Sequence, residues 1–313
     1  MTGAAQPIIA LAGAAGDLGS RIARALVRRG AEVRAVVRPD LSAQDRIHLR
    51  ALGVTLAPAD PQDVTSLTAA LDSASCVVSA LNRLREVIVD RQSLLLDAAV
   101  RAGVPHFIPS DYSEDFTRTR PGDNRNLDLR REFMTRVDQA PIQATSVLNG
   151  AFMDMLGAEM PIIQPRLRRV LYWHDADQPL NFTTKDDVAA YVAAAALDDS
   201  TPRFLRIAGD TLSARELAGV MGEIAGEPFH PLWAGTLGML SGMISLTRRL
   251  APQPGDPFPA WQGMQYMRDM FSGAGTLGVL DNARYPGLQW TSVRQELARR
   301  QIGKPSRLAE THS

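Results

Sequence analysis

Lysine is nearly missing from this sequence. Of 34 basic residues only Lys185 and Lys304 are lysines, so the first 184 residues hold none, and no ammonium in that stretch can tune a hydroxyl or exchange a proton. Cysteine is scarcer still. Cys76 stands alone, which excludes an internal disulfide and suits a reducing, cytoplasmic compartment. Charge excess is also lacking: 34 basic residues balance 34 acidic ones, so nothing draws the chain to nucleic acid or an anionic membrane. No cationic stretch followed by an apolar run opens the chain, and no secretory leader is expected. The longest uncharged stretch, residues 231–247, has 17 residues and carries Gly238 and Gly242 at small-xxx-small spacing. It reads as a buried or pocket-capping helical segment rather than a membrane span. His106 and His174 have no partners at ligand spacing, so no metal is expected.

What remains is a chain of 313 residues, 45% hydrophobic, with ample material for a core. Its first half alternates short apolar runs with amphipathic stretches, the rhythm of βαβ units around a parallel sheet. Strands are expected over residues 7–12, 33–37, 54–57, 76–81, 106–109 and 144–148. Helices are expected over 20–29, 65–71, 86–102 and 127–137. Beyond Gly150 the rhythm loosens to strands at 180–183 and 204–207. Thr184 can cap a helix over 185–197, and Ser213 with Glu216 forms a capping box for one ending at Ala225. The expected fold class is therefore α/β, a doubly wound parallel sheet (Rossmann) with a smaller C-terminal substrate lobe. Residues 1–150 would form the nucleotide-binding domain and 151–313 mainly the lobe, with short returns to the sheet near 180–210.

The run Gly13-Ala14-Ala15-Gly16-Asp17-Leu18-Gly19 lies between the first strand and the first helix. One glycine makes the tight turn, the next lets backbone N–H groups approach a pyrophosphate, and the last lets helix and strand pack closely. The helix N-terminus adds a partial positive charge. The second strand ends at Arg38, 19 positions after Gly19. An acidic residue there would favour NAD, whereas an arginine accommodates the 2′-phosphate of NADP. The alternative is a merely exposed strand-end arginine; the expected cofactor is NADP(H).

These residues, with later segments, resemble the NmrA-like and isoflavone-reductase-like branch of the atypical short-chain dehydrogenase/reductases. The resemblance rests on the glycine spacing, Arg38, and Phe107-Ile108-Pro109-Ser110-Asp111-Tyr112, which looks like the family's Phe-x-Pro-Ser-Glu-Phe-Gly. It rests further on Asn149-Gly150-Ala151-Phe152, Asp186-Asp187-Val188-Ala189 and Ala208-Gly209-Asp210-Thr211-Leu212-Ser213, and so covers nearly the whole chain. It implies that Asp60 lies near the adenine, although Asp60 also reads as a turn residue or helix cap. It implies that Ser79, Ala80, Leu81 and Asn82 pass beside the cofactor, that Ser110 belongs to the same edge, and that Asn149 and Phe152 border the nicotinamide.

One departure bears on activity. Active reductases of this branch carry a lysine on the helix before the sixth strand; here that position falls on Arg130. A guanidinium is a poor general acid, yet it can orient a ribose or stabilise developing negative charge. A solvated helix face is the competing reading of Arg130. Tyr112 becomes the proton-donor candidate, with a packed structural tyrosine as its alternative. Two functions follow. The first is an NADPH-dependent reductase of a small carbonyl, enone or quinone, with an apolar substrate suited to a lobe rich in Met239, Met243, Trp261, Met264, Tyr266, Met267 and Phe271. The second is a non-catalytic NADP(H)-binding redox sensor that signals to a protein partner. A sugar-nucleotide epimerase is disfavoured by the missing tyrosine–lysine pair.

Overall fold

Apolar runs too short to be helices, such as the Ile-Ile-Ala-Leu-Ala of the first strand, become the inner strands of a sheet covered on both faces. The computed structural model describes residues 6–157 and 160–302. The chain begins β1 (Ile8–Ala12), α1 (Asp17–Arg28), β2 (Glu32–Val37), α2 (Ala43–Ala51), β3 (Thr55–Pro58), α3 (Val64–Ala70) and β4 (Cys76–Ser79). A π-helical turn at Glu86–Arg91 leads into α4 (Gln92–Arg101), β5 (His106–Ile108), α5 (Arg125–Gln139), β6 (Gln143–Ala144) and β7 (Ser146–Leu148). Strands β1 to β6 form one parallel sheet in the order β3-β2-β1-β4-β5-β6. The chain winds outward from β1 to β3, then restarts at β4 on the opposite side of β1. The crevice where the order reverses is where open α/β sheets bind ligands.

The rest of the chain comprises β8 (Ala151–Phe152), β9 (Ile163–Gln164), β10 (Arg169–Trp173), β11 (Leu180–Thr183), α6 (Lys185–Ala195), β12 (Phe204–Arg206), β13 (Asp210–Leu212), α7 (Ala214–Ala225) and β14 (His230–Gly235), followed by α8 (Leu237–Leu250), α9 (Ala260–Phe271) and α10 (Val293–Ile302). Two apolar cores sandwich the sheet. One holds Ile22 and Leu26 of α1 with Val188, Tyr191 and Val192 of α6; the other holds Leu67, Leu95, Phe107 and Phe133. A third, with Trp173, Phe182, Leu217 and Phe271, belongs to the C-terminal region.

The caps follow local chemistry. Thr184 accepts from the Asp187 N–H, and Ser213 and Glu216 cap each other's backbone. Two expectations change. The strand expected over 144–148 divides at Thr145: Gln143–Ala144 stays on the main sheet, while Ser146–Leu148 pairs with β12. The stretch 231–247 is neither buried nor a pocket cap. It supplies β14 and much of α8, and only Leu240 and Ile244 of that helix are buried. Met239, Met243, Leu246 and Leu250 point outward, because apolar residues occupy both sides of the helix and the third core takes only one. Among the described residues no helix is long and apolar enough to cross a membrane.

Candidate nucleotide and active site

The glycine loop is built so tightly that side chains are excluded from it. Gly13 has φ +82°, and a Cβ there would lie 2.6 Å from the Ala80 carbonyl oxygen. A Cβ on Gly19 would lie 2.0 Å from the Gly13 oxygen, so strand, loop and helix touch backbone to backbone. Gly16 donates its N–H to the Gly13 carbonyl at 3.0 Å and caps α1 without any side-chain hydrogen bond. Ala15, Gly16 and Asp17 are exposed, and Leu18 is tucked against the core behind them. The α1 N-terminus therefore faces the crevice with no side chain over its amides, the arrangement that receives a diphosphate. Asp17 would repel such a ligand if left bare. Lys185 Nζ, at 2.8 Å, and Arg21 Nε, at 2.8 Å, bind its carboxylate and hold its pKa below the ordinary value.

Arg38 follows β2 directly, beside the loop's strand. Its side chain is 59% exposed and its Nε pairs with Asp40 at 3.4 Å, a solvent-exposed contact that leaves the other guanidinium N–H groups to meet a phosphate. Asp60 follows β3 and is exposed. Its Oδ1 accepts from the Gln62 N–H at 2.9 Å, so at present it closes a turn.

At the carboxyl edges of β4, β5 and β7 several buried polar atoms have no hydrogen-bond partner among the described residues. They are Ser79 Oγ, Asp111 Oδ1 and Asn149 Oδ1, and the Tyr112 hydroxyl and Arg130 Nε on α5 are unpaired as well. Buried polar groups are nearly always paired, so a cluster of orphans on one edge is what a bound polar molecule would satisfy. The neighbouring backbone is fixed: Ser110 Oγ donates to the Leu81 carbonyl at 2.6 Å, Ala80 donates to Ala12, and the Asn149 and Gly150 N–H groups both reach the Ser113 carbonyl. Asn82 is exposed just beyond Leu81, and Phe152 stands partly buried at the end of β8. The loop and this edge together fit a dinucleotide.

The two catalytic candidates are both buried. Arg130 is buried rather than on a solvated helix face, at 7% exposure, and donates to the Asn126 carbonyl at 3.2 Å. Burial raises both the Asp111 carboxyl and the phenol of Tyr266 on α9, and the Arg130 charge opposes each rise. Tyr112 joins the core that contains Cys76 and the α6 residues as well as Ala14 of the glycine loop, and its hydroxyl is unpartnered. Burial, then Asp111 and Cys76, pushes this phenol up.

Sequence reasoning missed Glu114 and Lys185 as members of the site region, and it named Asp111 only within the family-like segment and Tyr266 only within the apolar lobe. Burial raises the Asp111 carboxyl, although Ser146 Oγ donates to it at 2.6 Å and Arg130 opposes the rise. Burial raises Glu114 well above 4.5, and a Cβ on Gly275 would sit only 2.3 Å from its Oε2. Nothing in sequence spacing joins Tyr266 to Arg130. Of the methionine- and aromatic-rich set expected around an apolar substrate, Trp261 and Phe271 are core and Met239 and Met243 face solvent. Among the described residues no group of His, Cys, Asp or Glu could hold a metal ion.

Comparison with known proteins follows this geometry. Pinoresinol reductase 1 from Arabidopsis thaliana is 27% identical over 209 residues, covering 62% of this chain and 65% of that protein. The chain thus matches slightly less than two thirds of that relative's length. The structure of AtPrR2 with NADP+ and (+)-pinoresinol superposes with a TM-score of 0.78 at 21% identity, covering 95% of this chain and 99% of that one. The NADPH-dependent quinone oxidoreductase from Escherichia coli, complexed with NADPH, gives a TM-score of 0.71 at 18% identity, covering 94% and 99%. The NmrA-like family model matches residues 6–232, from the first strand through the start of β14. With the sheet order, the glycine loop and that match in agreement, the chain belongs to the NmrA-like family.

Proposed function

We propose that this protein binds NADP(H) across the β1/β4 crevice and reduces a small carbonyl, enone or quinone compound. The observation that carries the proposal is the side-chain-free glycine loop leading to an edge of unpaired buried polar atoms. The loop from Gly13 to Gly19 would hold the diphosphate and Arg38 the 2′-phosphate. Ser79, Asn149 and Phe152 would flank the nicotinamide, which supplies a hydride when bound. Arg130, buried beside that edge, would place fixed positive charge where a substrate oxygen gains negative charge. Tyr112 is left out of this scheme, since its hydroxyl lies in the core. Support also comes from relatives described as a pinoresinol reductase and an NADPH-dependent quinone oxidoreductase.

A second reading rests on the guanidinium itself. Arg130 cannot release a proton as a lysine would, and a family member that binds NADP(H) without turnover would serve as a redox sensor for a protein partner. NADPH oxidation followed at 340 nm across quinones, enones and aldehydes separates the two. We expect turnover with at least one acceptor and a loss of about 100-fold in kcat for Arg130→Met, with NADPH affinity held within about threefold. Tight NADPH binding with no turnover on any acceptor would favour the sensor.

A further inference from the structure

The stretch Asp186-Asp187-Val188-Ala189 follows Lys185 in the first turns of α6, and each charge of that start goes to a different element. Lys185 Nζ lies 2.8 Å from Asp17 of the glycine loop and 2.9 Å from Asp154 of the 3-10 turn Met153–Met155. Asp186 meets Arg21 of α1 at 2.6 Å. Asp187 accepts from the Thr291 N–H at 3.0 Å and from its hydroxyl at 3.2 Å, just ahead of α10. One helix start thus touches the glycine loop, the segment after Phe152 and the entry to the C-terminal helix.

These contacts extend into a line of alternating charge. Arg21 joins Asp186 to Asp17, Lys185 joins Asp17 to Asp154, and Arg300 stands 3.9 Å from Asp154 and 2.9 Å from Glu296. With Arg299 also on Glu296, four cations balance four carboxylates, and the line calls for no ligand of its own. Its consequence is mechanical. Arg300 donates to the Met153 carbonyl at 2.6 Å and to the Leu156 carbonyl at 2.8 Å, which fixes the turn that carries Asp154. A lone exposed ion pair contributes little, but here Glu296 is 6% exposed and every member between the two ends has two partners.

The line passes the point where a diphosphate would be received. Asp17 is the first residue of α1, at the helix end that faces the crevice. A bare carboxylate there would oppose the phosphate charge that the helix end attracts. Arg21 answers it from one turn along the same helix. Lys185 comes from another element, and two carboxylates take two of its three N–H groups. Its ammonium also lies 5.9 Å from the centre of the Phe152 ring, at the far end of the cofactor edge. Burial works against this cation, but the two carboxylates outweigh it and hold the lysine protonated. The only lysine among the described residues is thereby held between the two ends of the nucleotide site.

We infer that Lys185 is a positioning residue for the cofactor: it neutralises Asp17 at the mouth of the glycine loop, and Asp154 and Arg300 tie it to α10. This rests on the crevice reading above, which places the diphosphate at that loop. Calorimetric titration of NADPH into the full-length protein and hydrogen exchange of the α10 amides test it. Lys185→Met should weaken NADPH binding about tenfold and Lys185→Arg less than about threefold. Adding Asp17→Asn to Lys185→Met should bring the affinity back to within about threefold of native. Because linkage is reciprocal, NADPH should slow exchange across α10 at least about threefold in the native protein and leave it unchanged in Lys185→Met. Native affinity in Lys185→Met, or a loss that Asp17→Asn does not relieve, would overturn the inference. So would α10 exchange indifferent to NADPH in the native protein, a measurement that needs no variant to fold. If the native protein binds no NADPH, the crevice reading falls and takes this one with it; if it binds and Lys185→Met binds equally, this inference falls alone.

Discussion

Gly13, Gly16 and Gly19 look equivalent in the sequence but are not equally demanding in the fold. A methyl group on Gly16 would come no nearer than 3.3 Å to the Gly13 oxygen, whereas one on Gly13 would strike the Ala80 carbonyl from a backbone at φ +82°. Gly13→Ala is therefore expected to cost roughly 2–5 kcal/mol in denaturant unfolding and to weaken NADPH binding at least about tenfold, with Gly16→Ala clearly milder. Equal effects at both positions would contradict the backbone contact. The loop was legible from sequence because its function is local: three glycines at fixed spacing after a strand. Arg130 was legible as a position but not as an environment. Its surroundings include Tyr266 of α9, far from it in the chain. The burial of Tyr112 was illegible for the same reason. Sequence places it one residue past Asp111, but only packing decides which face of the sheet the ring enters.

At the scale of elements, caps and periodicity were readable wherever one helix turn contains its own instructions. The Ser213–Glu216 box and the Thr184 cap are such cases. Helix α2 escaped notice although Ser42 caps it by accepting from the Asp45 N–H, because its single buried residue, Leu49, gives almost no apolar stripe. Helix α8 was misjudged in the opposite sense, since uncharged composition does not reveal which side meets a core. The two sides make a sharp contrast. Leu240→Ala should destabilise by about 2–4 kcal/mol, and Leu246→Ala, at 58% exposure, by no more than about 0.5 kcal/mol in chemical denaturation. Similar costs at the two sites would mean that the outward face is covered.

Across the whole molecule, the first domain meets the C-terminal region through buried carboxyls that sequence alone could not locate. Glu114 is the clearest. Burial, reinforced by Asp269, raises its folded pKa above the unfolded value near 4.5. The folded state then binds a proton the unfolded state has released, so this contribution is full below pH 4.5 and is lost as pH rises through the folded pKa. Melting temperature followed upward from pH 5 should fall more steeply for the native protein than for Glu114→Gln; parallel profiles would show that Glu114 is not buried as a neutral acid. The account as a whole depends on the crevice between β1 and β4 taking NADP(H), with Arg38 reading the 2′-phosphate. Calorimetric titration of NADPH and NADH into native protein and Arg38→Ala tests this most directly. The native protein should prefer NADPH, and Arg38→Ala should lose about 2 kcal/mol of NADPH affinity, roughly 30-fold, with NADH binding changed less than about twofold. No measurable affinity for NADPH in the native protein would contradict the account.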